Sequence, residues 1–157
     1  MTILALDQAT KHTGFAIFSE GKLIDYGVLN ADQDLPIFAR MNEMRLMIAE
    51  LVDNLCPDIV VFEQVQYQQN QTVYSQLSQL QGFVMSALFQ KDVPFYIVEP
   101  VVWKSFAGVK GKKRAEQKES TIALAKLIYK VAVSEDTADA IFIGHWAVSN
   151  YKEKQVR

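Results

Sequence analysis

The chain has 157 residues, half of them apolar and 22% charged, which fits one compact domain spanning 1–157 and excludes a disordered or fibrous chain. No apolar run approaches the roughly 20 residues of a membrane span, and a net charge of −2 does not by itself point to nucleic acid. The N-terminal apolar stretch has no basic leader and ends at Asp7, and the lone Cys56 reads as a small core residue of a helix; both fit a cytoplasmic protein without disulfides.

In chain order, Ile3 to Leu6 form a nearly continuous apolar run, as in a strand covered on both faces. Gly14 to Phe18 and Leu23 to Leu29 read as two more strands, joined at Ser19-Glu20-Gly21-Lys22, where Gly21 suits a tight hairpin. From Pro36 to about Leu55, Ile37, Met41, Met44, Ile48, Leu51 and Leu55 recur at spacings of three and four, an amphipathic helix. Pro57 breaks the chain, and Ile59 to Phe62 form a second buried strand ending at Glu63. The polar run Gln68-Gln69-Asn70-Gln71 precedes a helix from about Thr72 to Lys91. Its apolar side carries Val73, Leu77, Leu80, Val84 and Leu88, and Phe83, Met85, Ala87 and Phe89 widen it enough to serve a core and a partner subunit together. Phe95 to Val98 make another strand, Trp103 lies in a short helix, and a basic loop from Gly108 to Gln117 follows, with Gly111 making it mobile. Helices from Ser120 to Val131 and from Ser134 or Glu135 to about Asn150 complete the chain. A hairpin-linked start followed by βαβ crossovers gives an α/β fold, a mixed five-stranded sheet flanked by helices on both faces.

Charge is unevenly spread. Lys104, Lys110, Lys112, Lys113, Arg114 and Lys118 face a single acid, Glu116, so that segment carries +5 and the remainder −7. This is the footprint of a polyanion ligand, although a lysine-rich loop is also an ordinary solvated face. Asp7 and Glu63 each end an apolar strand, where an acid is poorly solvated and needs a hydrogen bond, a partner or a cation; alone, each is an ordinary turn former. Asp136 and Asp139 stand three apart on one face at the start of the last helix, where acids also suit the helix dipole. Glu135, four before Asp139, is expected to cap that helix, with ligation its alternative. Together the two strand ends and the helix start offer three or four carboxylates to one point, the hard oxygen set that Mg²⁺ prefers. His12 and His145 are isolated, and neither is expected to bind metal.

At these residues the chain resembles the RuvC-type Holliday junction resolvases. Asp7 followed by Gly14 in Leu6-Asp7-Gln8-Ala9-Thr10-Lys11-His12-Thr13-Gly14 is similar to the family's first motif, Phe62-Glu63-Gln64-Val65 to its second, and Asp136-Thr137-Ala138-Asp139-Ala140 to its D-x-x-D-A. Gln79-Leu80-Gln81-Gly82 resembles a segment of the family's interface helix, and the agreement runs from about residue 3 to 147. The resemblance implies an RNase H-like fold and a homodimer acting on branched DNA. It also implies two Mg²⁺ ions, or Mn²⁺, held by catalytic Asp7, Glu63, Asp136 and Asp139. Lys118 matches a lysine that holds the scissile phosphate, and Lys104 an earlier family lysine. Lys104, Lys110, Lys112, Lys113 and Arg114 would contact DNA. Two departures stand out: Gln8 and Ala9 replace the usual proline and glycine, and the family aromatic after the glutamate is Gln66, with Tyr67 beside it. Tyr67 either stacks on an unpaired base or packs against its own loop. The shortness of the chain suits the phage-encoded branch.

The implied activity is paired, symmetric nicking of four-way junctions, leaving 5′-phosphate and 3′-hydroxyl ends. Three rivals remain: a branched-DNA-binding protein that no longer cuts, a nuclease acting on RNA–DNA hybrid, and a phosphotransferase cradling ATP near Thr13-Gly14. The four acids argue against the first. The missing second phosphate motif argues against the last, so no nucleotide cofactor is expected, and no membrane partner.

Overall fold

A computed structural model describes residues 1–67 and 69–151, so Gln68 of the polar run lies outside the described residues. Its sheet has five strands in the order β3-β2-β1-β4-β5, formed by β1 (Thr2–Asp7), β2 (His12–Ser19), β3 (Lys22–Asn30), β4 (Ile59–Glu63) and β5 (Phe95–Val98). The first three strands run antiparallel, whereas β4 pairs parallel with β1 and β5 parallel with β4. Glu20 and Gly21 both have positive φ, 49° and 76°, the geometry of a two-residue hairpin turn matching strand twist.

Alternation along β1 divides the interior in two. Ile3 and Ala5 face one side, with Phe18, Val61, Trp103 and the apolar face of α5 (Glu135–Asn150). Leu4 and Leu6 face the other, with Val60, Phe62 and the buried faces of α1 (Ile37–Leu55) and α2 (Gln71–Gln90). Covering both faces accounts for the nearly unbroken apolar runs of β1 and β4. Among the described residues no helix is long and apolar enough to cross a membrane.

Three expectations are corrected. The helix placed at Ser120 starts six residues earlier: α4 runs Arg114–Tyr129 after the short α3 (Pro100–Ala107). Glu116 makes the early start possible, because its carboxylate accepts from the backbone N–H of Lys112 at 2.8 Å and of Lys113 at 3.2 Å, groups a helix start leaves unpaired. The basic loop is therefore short and tied down, with Lys110 N–H donating to Ser120 at 2.8 Å and the Gln117 amide to the Gly111 carbonyl at 3.2 Å. Cys56 is exposed rather than in the core. It closes α1 in the left-handed region, φ 47°, its N–H donating to the Val52 carbonyl, and this turn aims its side chain outward.

Candidate active site

The site is built where β1, β4 and α5 meet. Leu6 pairs with Phe62 in the parallel ladder, so the residues that end the two strands, Asp7 and Glu63, are neighbours. On the other side Asp7 pairs with Gly14. A Cβ on Gly14 would stand 2.0 Å from the Asp136 carbonyl oxygen, so only glycine lets the first turn of α5 press against the sheet. The glycine seven residues after the aspartate is thus a packing requirement of the opposite acid pair. The helix start is fixed by Ser134, whose hydroxyl accepts from Thr137 N–H at 3.4 Å, and by Thr137, whose hydroxyl donates to the Gly27 carbonyl at 3.1 Å. Ser134, not Glu135, is therefore the cap, which corrects the sequence reading.

All four acids line one cleft of about 480 Å³, together with Lys104, Arg114, Lys118 and Glu135. Burial, then the charges of Asp139, Glu63 and Asp136, push the Asp7 carboxyl well above the usual range. Asp139 is raised by burial to about 7, with Lys104 opposing the rise. Burial raises Asp136 too, aided by Glu135 and opposed by His12 and Lys118. Burial also raises Glu63, opposed first by the indole N–H of Trp103, which donates to Glu63 Oε2 at 2.6 Å. Asp139 Oδ1 is buried with no hydrogen-bond partner.

Among the described residues no three His, Cys, Asp or Glu side chains close into a finished metal cage. The fit to a cation is chemical: crowded, poorly solvated carboxylates that resist ionisation, one with an orphaned oxygen, are what a hard divalent ion neutralises. Such an ion needs few protein ligands, completing its shell with water and phosphate oxygens.

Lys118 ion-pairs with Glu135 at the cleft wall, one turn into α4. Lys110, Lys112 and Lys113 are exposed on the α3–α4 connection and do not line the cleft. Tyr67 also lies outside the lining; its ring rests edge-on against Tyr74, centroids 5.6 Å apart, yet remains 74% exposed. It packs on the first turn of α2 rather than on its own loop, and most of its surface stays exposed. His12 Nδ1 shares a hydrogen bond with Asn30 at 2.8 Å, and His145 Nδ1 one with Tyr129 at 2.5 Å. Sequence reasoning missed three residues. Gln8 lines the cleft with both amide atoms buried and unpartnered. Thr121 lies against Asp139, and Trp103 holds Glu63. Trp103 left a signal as a large aromatic directly before Lys104, and Gln8 as a departure directly after Asp7, whereas Thr121 left none.

A family model for crossover junction endodeoxyribonuclease RuvC matches residues 3–145. The chain belongs to this family. The RuvC of Thermomicrobium roseum is 24% identical over 144 residues, covering 90% of this chain and 88% of that protein. Thermus thermophilus RuvC, solved in complex with a Holliday junction substrate, superposes with a TM-score of 0.76 at 19% identity, covering 96% of each chain. A fowlpox virus resolvase solved with Holliday junction DNA gives 0.65 at 16% identity, covering 95% of this chain and 97% of that one. The expected RNase H-like sheet is therefore the RuvC fold.

Proposed function

We propose that this RuvC-family chain is a Holliday junction resolvase, a one-domain homodimeric endonuclease of the cytoplasm that hydrolyses phosphodiesters in branched DNA. The observation that carries the reading is the convergence of Asp7, Glu63, Asp136 and Asp139 in one cleft, beside Lys104, Arg114 and Lys118. Those four acids would hold two Mg²⁺ ions, or Mn²⁺. When bound, the ions supply an activated water and offset charge on the leaving oxygen.

The chain's own groups do the rest. Carboxylates from β1 and β4 stand on strands fixed by the sheet, and those from α5 on a capped first turn, so the ligand set is positioned before DNA arrives. Lys118 offers an ammonium to the scissile phosphate as charge builds there, and its ion pair with Glu135 keeps it at the cleft wall. Lys110, Lys112, Lys113 and Arg114 meet flanking phosphates, so binding weakens as salt rises. The open face of Tyr67 stacks on a base exposed at the branch point. Two copies related by a dyad place two clefts against opposed strands of a four-way junction and leave symmetric nicks with 5′-phosphate and 3′-hydroxyl ends. The test is Asp7→Asn. Junction binding persists within a few-fold in a gel-shift assay while cutting is lost; near-normal cutting by this variant would remove the assignment.

A further inference from the structure

Trp103 is the largest fully buried side chain among the described residues, and it does more than fill the core. It stands on α3 within the apolar cluster beneath α5, yet its one polar atom reaches the cleft, donating to Glu63 Oε2 at 2.6 Å. The Lys104 ammonium lies over the same ring, 5.3 Å from its centroid, and Lys104 lines the cleft. One rigid indole thus touches an acid at the end of β4 through its edge and a cation of α3 through its face.

We infer that Trp103 is a positioning residue that fixes Glu63 and Lys104 relative to each other. This rests on the proposed nuclease reading. The indole edge occupies Glu63 Oε2 and leaves Oε1 as the free oxygen, so the carboxylate presents one atom in one orientation. The ring face attracts the ammonium and holds it near the acids, which a solvated lysine would not do. Buried indole N–H groups commonly find some acceptor. Here that acceptor is one of the four clustered acids, and the neighbouring residue in sequence is the cation.

Two measurements test it. In a ¹H–¹⁵N spectrum of the metal-free protein, the Trp103 indole proton lies downfield of that of Trp146 and moves upfield in Glu63→Ala, while the Trp146 signal stays. A Trp103 signal indifferent to Glu63 would overturn the inference. On a four-way junction with Mg²⁺, Trp103→Phe keeps a ring face for Lys104 but loses the N–H. Its kcat falls about tenfold or more with KM within twofold, as expected for a lost hydrogen bond to a charged group. Trp103→Leu loses both contacts, so KM rises in addition. A folded Trp103→Phe protein with wild-type kcat would also overturn it, the indole then being core alone. If the wild-type protein cuts no junction, the nuclease reading falls, and the spectrum still decides whether Trp103 holds Glu63.

Discussion

Asp139 concentrates the chemistry of the cleft in one side chain. Its carboxyl is pushed by burial to about 7, one of its oxygens has no partner, and Lys104 offsets this only in part. An acid whose native pKa stands above its unfolded value keeps its proton longer in the native state, so ionising it costs native stability. Between pH about 4, the unfolded range, and pH about 7 that cost grows with each step. Asp139→Asn removes it. In EDTA, the variant and the wild-type protein should differ little near pH 4. By pH 7 the variant should be the more stable by on the order of 2–4 kcal/mol in denaturant titrations. A difference that does not change with pH would contradict the picture of an uncompensated carboxylate. Asp7, Asp139, Glu63 and Asp136 were legible in the sequence because each stands at a strand or helix terminus beside an apolar run. The contacts of Thr121 with Asp139 and of Trp103 with Glu63 were not, since they join elements far apart in the chain, and the burial of the Gln8 amide shows only in the fold.

At the scale of elements, the site depends on how closely α5 docks against the sheet. Gly14 lets the Asp136 carbonyl pass at a distance no Cβ would tolerate. Gly14→Ala should therefore destabilise the protein by about 3 kcal/mol in urea titrations and displace the Asp136–Asp139 turn, with cutting reduced beyond the stability loss. An alanine variant of unchanged stability would show that the turn yields freely. The strands and α5 were readable from their hydrophobic period, although the residue that caps α5, Ser134 rather than Glu135, was not. The start of α4 was not. Its first turn, Arg114 to Gln117, looks like the end of a charged loop, and only the reach of Glu116 back to Lys112 and Lys113 makes it helix. Cys56 misled for a related reason: apolar periodicity carries through Leu55, and the left-handed closure that turns the next side chain out leaves no residue-level mark.

At the scale of the whole molecule, the proposed homodimer would present α2 to its second copy. Gly82 sits exposed on that helix with open space where a Cβ would be, and Phe89 is 65% exposed near its end. Gly82→Arg should leave the single subunit folded, because arginine is the better helix former, and turn dimer into monomer in sedimentation. Persistence of the dimer would move the interface elsewhere. The choice of substrate is decided by one experiment. A labelled four-way junction, a linear duplex and an RNA–DNA hybrid are each incubated with the protein in Mg²⁺ or in EDTA. The expected result is paired symmetric nicks in the junction alone, and only with Mg²⁺. Cutting confined to the hybrid would contradict it, as would tight junction binding with no cut in either condition.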